Sequence, residues 1–306
     1  MIFSKIPLGN VIERFLDFLT KHISFLTRAL SNGLENGIKG IESFFLFFHP
    51  LLLIFIFAIL SWIIGAQETN VLQSRPTNLS TLKKMQHKAS LMKKIPAIKM
   101  GIFTFLGFFL IWNLNLWDAM ITTFSLVMIA TFFSVLIGLP LGILAALFQR
   151  FYKIIIPFLD FMQTMPAFVY LIPAIPFFGL GRVSAIFATI IFSMPPVIRL
   201  TCLGIKNLPA DLIEAANAFG SNKMQKLFKV QLPLAKSTIM AGVNQTIMLS
   251  LSMVVIAAMI GAGGLGGEVW RAIQRLEPGK GFESGLAVVI LAIVLDRVTQ
   301  KMAQKK

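Results

Sequence analysis

The sequence predicts an all-α protein that crosses a membrane several times. Of its 306 residues, 56% are hydrophobic and only 13% are charged, and the mean hydropathy is +0.80. A soluble domain of this length needs more polar surface than this composition supplies. Several apolar runs reach the roughly 20 residues that a helix needs to span a bilayer, and the sequence lacks the short alternating segments of membrane β-strands. We therefore expect a polytopic membrane protein with about seven transmembrane helices.

Charge and side-chain chemistry limit the possible partners. The formal net charge is +15, which in a soluble protein would indicate nucleic acid. Here the basic residues cluster between apolar runs, as in cytoplasmic loops that face anionic lipid, so we expect membrane lipid and no nucleic acid as a partner. The single cysteine, Cys202, has no second cysteine for a disulfide, and the three histidines are scattered along the chain. We therefore expect this chain to bind no cofactor and no metal.

The first 43 residues are too polar to form a span. Charged residues interrupt the apolar ones, which fall near helical spacing at Val11, Phe15, Phe18, Leu19, Leu26 and Leu30. This pattern predicts an amphipathic segment at 1–43 that lies in the membrane interface, and a helix packed against the rest of the protein fits it equally well. The start of the chain has neither a continuous apolar region nor a small-residue cleavage site, so we expect no cleavable signal peptide.

The apolar runs that come next predict the transmembrane helices. The first is expected at 44–64, with Pro50 near its start, where a proline is tolerated. Residues 65–99 carry seven positive charges and one negative charge, which predicts a basic cytoplasmic loop. The remaining transmembrane domain, 100–303, holds further predicted spans at 100–117, 119–147, 160–179, 183–205, 238–262 and 284–302.

The distribution of basic residues also predicts an orientation. With the basic loop in the cytoplasm, alternation places the N-terminus outside and the C-terminus in the cytoplasm. Residues 149–153, the C-terminal tail and the segment 206–237 then also face the cytoplasm, and all three are basic. We call the segment 206–237 the EAA loop, after its Glu-Ala-Ala triplet. One orientation thus puts every basic segment on the same side, as the positive-inside rule requires.

The EAA loop is the most informative part of the chain, and residues 214–233 read EAANAFGSNKMQKLFKVQLP. Pro209 suits the first turn of a helix, and Asp211 complements the dipole of that helix. Gly220 permits a sharp turn, and Pro233 is expected to end the second helix before the next span begins. The loop is therefore predicted to form a rigid helix–turn–helix, and an ordinary polar connection is the alternative.

The EAA loop resembles the loop by which ABC importer permeases dock into their ATPase. Small residues at 215, 216 and 220 let a partner approach the backbone closely, and Val230 stands where that family usually has isoleucine. From about 117 to 300 the chain further resembles the permease subunit of glycine betaine/proline betaine importers, which carry quaternary-amine osmoprotectants, and residues 1–43 resemble the N-terminal extension of that group. The matching segments are IGLPLGI at 137–143, LDFMQTMPAFVYLIP at 159–173, PPVIRLT at 195–201, LPADLIEAA at 208–216, LFKVQLPLA at 227–235, IMAGVNQTIMLSLSMVVIAAMIGAGGLG at 239–266 and AVVILAIVLDRVTQ at 287–300.

The resemblance implies a type I ABC importer permease fold in a bacterial inner membrane, with ATP-driven import of a quaternary-amine osmolyte as the function. Two copies of this chain would pair with two copies of an ATPase subunit that binds ATP and Mg, and a binding protein would deliver the osmolyte from outside. Glycine betaine, proline betaine, choline and carnitine all remain possible substrates. The chain lacks a phosphate-binding G-x-x-x-x-G-K-[ST] sequence, so we expect a permease and not an enzyme.

The same resemblance assigns roles within the EAA loop. Glu214 would anchor the loop by hydrogen bonding, and the small residues would form the docking surface for the ATPase. The residues implied in ATPase coupling are Glu214, Ala215, Ala216, Gly220, Leu232 and Pro233.

Polar residues inside two predicted spans mark a candidate translocation path. They are Gln163, Thr164, Pro166 and Tyr170 in one span, and Asn244, Gln245, Thr246 and Ser250 in the other. Pro166 would break its helix, which is tolerated where the break lines a cavity or is buried in protein. Asn244 needs partners in hydrocarbon and should face the bundle or the pore, although hydrogen bonding between helices without substrate contact is the alternative. Tyr170 either offers a cation-π face to a quaternary ammonium or packs in the core.

Two other functions fit a polytopic membrane protein. An ion-coupled secondary transporter would usually carry an ionisable residue deep in a span, and the sequence offers only Asp296 near the end of the last span. A membrane enzyme would need a polar catalytic cluster at the membrane face, and none is visible. Gly261, Gly263 and Gly266 match a dinucleotide-binding pattern, but they follow a predicted membrane helix and not a strand, so we expect them to end that span.

Overall fold

The computed structural model describes residues 8–66 and 98–303. All regular structure in these two ranges is helical, which confirms the all-α fold class. The α-helices are α1 Leu8–Phe47, α2 Pro50–Ala66, α3 Ile98–Asn113, α4 Trp117–Leu147, α5 Gln149–Thr164, α6 Leu171–Phe178, α7 Arg182–Ser193, α8 Pro195–Lys206, α9 Ala210–Ala218, α10 Lys223–Lys226, α11 Leu232–Ala257, α12 Gly264–Gln274 and α13 Pro278–Ala303. The other helical turns are 3₁₀ turns at Ala167–Tyr170 and Ala258–Ile260 and a π-helical turn at Leu227–Gln231.

Three continuous helical stretches in the described ranges are long and apolar enough to cross a membrane. They are α4, the stretch Arg182–Lys206 that joins α7 to α8, and the stretch Lys223–Ile260 that contains α11. Two bent pairs pass the same test together, α1 with α2 at 99° and α5 with α6 at 112°. Together with the shorter apolar helix α3 and with α13, each of the predicted spans corresponds to a helix or a bent pair.

The start of the first span differs from the predicted one. The prediction places it at 44, but Phe44–Phe47 form the end of α1, and the chain bends by 99° before α2 begins at Pro50. A proline cannot donate the backbone hydrogen bond that would continue α1, and it restricts the residue before it, which explains the break. The predicted basic loop at 65–99 lies almost wholly outside the described residues.

The predicted amphipathic segment is one continuous helix, α1, with a packed side and an exposed side. Leu34 and Ile38 are buried in the core that α1 shares with the bundle, whereas the ring of Phe25 is 85% exposed. Near the end of α1, Arg182 at the start of α7 donates a hydrogen bond of 2.7 Å to Glu42. The same helix thus has a side packed against the rest of the protein, as in one predicted arrangement, and an exposed apolar side, as in the predicted interfacial segment.

Glycines bring α4, α8 and α11 together at the centre of the bundle. A Cβ atom at Gly142 in α4 would lie 2.7 Å from the carbonyl oxygen of Ile198 in α8. A Cβ atom at Gly242 in α11 would lie 3.3 Å from the carbonyl oxygen of Pro196, also in α8. Small residues in membrane helices permit this close approach of backbones. The two helices that enter and leave the EAA loop therefore pack against each other and against α4.

A glycine-rich turn closes the end of the bundle opposite the EAA loop. After α11, Gly261, Gly263 and Gly264 have φ angles of +91°, +79° and +68°, which favour glycine because it has no Cβ. The chain reverses there into α12, and the N–H of Leu265 donates to Thr123 Oγ1 in α4 at 2.8 Å. These glycines follow a helix, and their role in the described chain is to end it and redirect the backbone.

Candidate functional site

The EAA loop joins α8 to α11 and contains the short helices α9 and α10. α9 begins at Ala210, directly after Pro209, whose φ of −54° and ψ of 133° lie outside the helical range. The carbonyl of Pro209 accepts a hydrogen bond from the N–H of Leu212 at 3.2 Å. Asp211 lies in the first turn, where a negative charge is favourable near the positive end of the helix dipole. Asp211 therefore lies in the first turn as predicted, whereas Pro209 lies directly before the helix and not in its first turn.

A closely bonded turn at Gly220 reverses the chain between α9 and α10. Gly220 has a φ of +72°, and its N–H donates to the carbonyl of Asn217 at 2.9 Å. The N–H of Ser221 donates to the carbonyl of Ala216 at 3.0 Å. These two bonds form a Schellman motif, which satisfies the last carbonyls of α9 and places a left-handed residue at the turn.

Local bonds also fix α10. The side chain of Asn222 accepts from the N–H of Gln225 at 2.8 Å, and the side chain of Gln225 accepts from the N–H of Asn222 at 3.0 Å. This reciprocal capping box holds the start of the helix. Lys226 Nζ then donates to Asn217 Oδ1 at 2.9 Å and ties α10 back to α9. The turn is therefore defined by bonds between near neighbours in the sequence.

The second helix of the EAA loop does not end at Pro233, so the predicted stop is wrong. α10 continues through the π-helical turn into α11, in one helical stretch over Lys223–Ile260. In that turn the N–H of Leu232 donates to the carbonyl of Leu227. Pro233 has no N–H, and its ring crowds the preceding helical turn, so the wider π-helical turn directly before it accommodates the proline. Leu232 and Pro233 thus lie where the π-helical turn continues into α11.

The tip of the EAA loop presents large apolar side chains to its surroundings. Phe219, directly before Gly220, is 90% exposed, and Met224 is 65% exposed. Sequence reasoning missed Phe219, although an aromatic residue beside a turn glycine in a polar, basic loop was a usable signal. An exposed aromatic side chain of this kind is typical of a surface that a partner covers.

The predicted coupling residues occupy different positions in this loop. Glu214, Ala215 and Gly220 are exposed, whereas Ala216 is buried. The anchoring role that the resemblance assigns to Glu214 stays a prediction, and the bond from Lys226 to Asn217 ties the two short helices together beside it. The exposed backbone at 215 and 220 remains open to a partner.

A helix break positions the first group of candidate path residues. The chain bends by 112° between α5 and the 3₁₀ turn that leads into α6. Pro166, at this break, cannot donate to the carbonyl of Met162, four residues back. The hydroxyl of Tyr170 donates to that carbonyl instead. The tyrosine therefore satisfies a backbone acceptor that the proline leaves open.

This bond explains why Tyr170 belongs to the core. Its side chain is buried, and its ring packs edge-on against Phe192 with centroids 5.5 Å apart, so the ring faces protein and not a ligand. Gln163, Thr164 and Pro166 are exposed on the other side of the break. The four residues of this group are therefore divided between the surface and the interior.

The second group, on α11, is divided in the same way. Gln245 is exposed, whereas Thr246 and Ser250 are fully buried. Asn244 Nδ2 donates to Asp296 Oδ1 in α13 at 2.9 Å, and Ser250 donates to Ser193 Oγ at the end of α7 at 3.0 Å. The half-buried Asn244 and the buried Ser250 thus form hydrogen bonds between helices, which was the alternative to substrate contact. Thr246 Oγ1 is buried but has no hydrogen-bond partner within the described residues.

Comparison with known proteins identifies the family. Residues 138–305, which include the whole EAA loop, match the family of binding-protein-dependent transport system inner membrane components. The chain belongs to this family. It is therefore an inner-membrane permease component, and α8, the EAA loop and α11, together with the last turns of α4, lie within the matched region.

Three relatives in this family align with nearly the whole chain. The glycine betaine transport system permease protein OpuAB of Bacillus subtilis is 46% identical over 302 residues, which cover 99% of this chain and 96% of the relative. The glycine betaine/carnitine transport permease protein GbuB of Listeria monocytogenes is 45% identical over 300 residues and 98% of this chain. The glycine betaine/proline betaine transport system permease protein ProW of Escherichia coli is 42% identical over 299 residues, which cover 98% of this chain and 76% of the relative.

A solved structure has the same fold. A chain of the MetNI methionine ABC transporter in an inward-facing conformation superimposes with a TM-score of 0.56 and 22% sequence identity. The aligned part covers 60% of this chain and 91% of the MetNI chain. The predicted type I ABC importer permease fold is thus confirmed.

Proposed function

We propose that this chain is the permease of an ATP-driven importer for a quaternary-amine osmolyte such as glycine betaine or proline betaine. Three relatives that align with nearly its whole length are named as permease proteins for glycine betaine, two of them with carnitine or proline betaine in addition. Glycine betaine is common to all three names, so it is the first substrate to test.

A binding protein and an ATPase subunit complete the proposed importer. The name of the family supports the binding protein, which would deliver the osmolyte from outside. Two copies of this chain would enclose the translocation path, and each would contact one copy of an ATPase that holds ATP and Mg. α4 presents a row of exposed apolar side chains at Met128, Phe132 and Leu136, which fits contact with lipid or with the second copy.

The EAA loop is the proposed contact with the ATPase. Its tip combines the exposed ring of Phe219 with a backbone that small residues leave uncovered at 215 and 220. Behind the tip, glycines let the backbones of α8 and α11 lie close together, so a displacement of the tip moves both helices together. This combination of an exposed tip and a rigid base is the observation that carries the proposal.

Charge supports a cytoplasmic position for that tip. The EAA loop carries five lysines against Asp211 and Glu214, and basic loops stay on the cytoplasmic side of bacterial membranes. With the loop in the cytoplasm, alternation of the spans places the N-terminus outside and the C-terminus inside.

The ring of Phe219 provides the test of ATPase coupling. Phe219→Ala removes an exposed side chain and leaves the core intact, so the permease should still insert in the membrane. We expect the amount of ATPase that co-purifies with it to fall about tenfold, as for a central aromatic anchor of an interface. ATP-driven uptake of labelled glycine betaine into proteoliposomes should fall with it.

Phe282→Ala is the matched control, because Phe282 is 74% exposed near the start of α13, at the opposite end of the bundle. It should retain the ATPase at the wild-type level. Equal retention of the ATPase by both variants would contradict the proposed contact. Uptake driven by a proton or sodium gradient through the permease alone would instead establish a secondary transporter.

A further inference from the structure

Three buried serines link α4, α7 and α11 inside the bundle. Ser134, Ser193 and Ser250 are fully buried, and Ser193 Oγ lies 3.0 Å from Ser134 Oγ and 3.0 Å from Ser250 Oγ. Ser134 Oγ also donates to the carbonyl of Ile190 at 3.2 Å. Since each hydroxyl has one hydrogen, Ser250 donates to Ser193, Ser193 donates to Ser134, and Ser134 donates to Ile190. We call these three residues the serine relay.

The serine relay differs from buried hydroxyl bonds that stay within one helix. Thr189 Oγ1 in α7 donates to the carbonyl of Ala185 in its own helix at 2.6 Å. Such a bond leaves neighbouring helices independent of each other. The bonds of the relay join residues that are 56 to 59 positions apart in the sequence. The relay therefore restricts how α4, α7 and α11 move relative to one another.

The relay lies at the joint between α7 and α8. Ser193 is the last residue of α7, and Pro195 and Pro196 begin α8. Because prolines donate no backbone hydrogen bond, the carbonyls of Ile191 and Phe192 lose their usual helical partners. A helix that lacks two successive bonds bends more easily at that point. The joint is therefore the point at which the helical stretch Arg182–Lys206 bends most easily.

On the side nearer the EAA loop, α8 is part of a rigid block. Close contacts at Gly142 and Gly242 join it to α4 and α11, and a Cβ atom at Gly204 in α8 would lie 3.1 Å from Thr238 in α11. A displacement of the EAA loop therefore moves α8 with these parts of α4 and α11. The covalent connection from this block to α7 runs through the joint, where bending would absorb the movement.

We propose that the serine relay carries the movement of this block past the joint into α7. Ser134 belongs to α4 and Ser250 to α11, the helices that the block joins to α8, and Ser193 belongs to α7. In α4, Gly138 also packs closely against Val197 in α8 and lies on the same side of Pro140 as Ser134, so the relay connects the block to α7 without passing through a proline. The three serines are positioning residues for transport, an inference that rests on the proposed function. Without the relay, the joint bends, and ATP is hydrolysed with little movement of the osmolyte.

The test measures the number of glycine betaine molecules taken up per ATP hydrolysed, in proteoliposomes that contain the permease, its ATPase and its binding protein. In Ser193→Ala this ratio should fall about tenfold, the effect of losing one buried hydrogen bond, while ATP hydrolysis continues. Thr189→Val is the matched control, because it removes a buried hydroxyl from the same helix and keeps the side-chain shape. Its ratio should equal that of the wild type.

A double variant separates a relay from independent contacts. Because the three serines act in series, Ser134→Ala combined with Ser193→Ala should lower the ratio no further than Ser193→Ala alone. If Ser193→Ala does not assemble, Ser250→Ala, which removes only the first donor of the relay, should show the lower ratio.

Two results would overturn the proposed relay. One is an unchanged ratio in the serine variants. The other is a parallel loss of uptake, ATP hydrolysis and thermal stability, which indicates a purely structural role. Failure of the proposed function is distinguishable from both, because the unmodified complex would then take up no glycine betaine on addition of ATP.

Discussion

The tip of the EAA loop and the contact between α4 and α8 both depend on glycine, for opposite physical reasons. Gly220 has a φ of +72° and no atom within 4 Å of the position where its Cβ would stand. Gly142 lies within the regular helix α4, and a Cβ there would stand 2.7 Å from the carbonyl oxygen of Ile198. The first glycine is required by backbone conformation, and the second by lack of space.

This difference separates the two tasks of the permease. The tip is open, bonded locally and exposed, as a surface that receives a partner must be. The contact between α4 and α8 is closely packed, as a contact that transmits movement must be. Substitutions in the two regions should therefore stop transport by different routes, one with the permease intact and the other with its packing lost.

The largest effect on transport is expected from Gly220→Arg. A bulky charged side chain at the tip should block close approach of the ATPase and abolish ATP-driven uptake, while membrane insertion stays normal. Gly179→Arg is the control, since Gly179 has a φ of +76° with no atom within 4 Å of its Cβ position and lies at the opposite end of the bundle. Gly179 has a ψ of −172°, in a region that essentially only glycine adopts, so its substitution costs about 1–3 kcal/mol in backbone strain. Equal loss of co-purifying ATPase in both variants would show that strain alone is responsible.

A smaller effect, on stability, is expected from Gly142→Ala. The added methyl group meets the backbone of α8 and should lower the free energy of unfolding by about 1–3 kcal/mol, measured as the thermal stability of the purified permease. Gly267→Ala is the control, because Gly267 is also buried but no atom lies within 4 Å of its Cβ position. A stable Gly142→Ala variant that transports normally would contradict the close contact between α4 and α8.

The smallest effect is expected from Asn222→Ala, which removes the capping box of α10 and should destabilise that helix by about 1 kcal/mol. Hydrogen exchange of the amides at 220–226 should rise, with the bundle unaffected and uptake only slightly reduced. Asn207→Ala serves for comparison, since the backbone N–H and not the side chain of Asn207 bonds at the end of α8. Unchanged exchange in Asn222→Ala would mean that contacts from the rest of the bundle hold the turn.

Local sequence predicted much of the EAA loop because its bonds are local. Pro209 and Asp211 indicate the start of α9, Gly220 indicates the turn, and their partners lie a few positions away. The stop predicted at Pro233 was wrong, because a proline rule takes no account of the π-helical turn that precedes it. The function of the loop follows from the resemblance and remains a proposal for this chain.

The candidate translocation path was less predictable, because three of its residues bond to partners in other elements. The Tyr170 hydroxyl donates to the carbonyl of Met162, to which Pro166 cannot donate. Asn244 bonds to Asp296 in α13, and Ser250 bonds to Ser193. Polarity within a span indicates that a residue needs a partner, but not whether that partner is a helix or a substrate.

The amino-acid sequence by itself determined the membrane class, the helical architecture and the turn of the EAA loop, since hydropathy and short-range bonds are properties of neighbouring residues. Only the tertiary structure decided which glycines allow backbones to touch and which hydroxyls pair. Those contacts join positions that are far apart in the sequence, and they exist only once α4, α7, α8 and α11 have packed together.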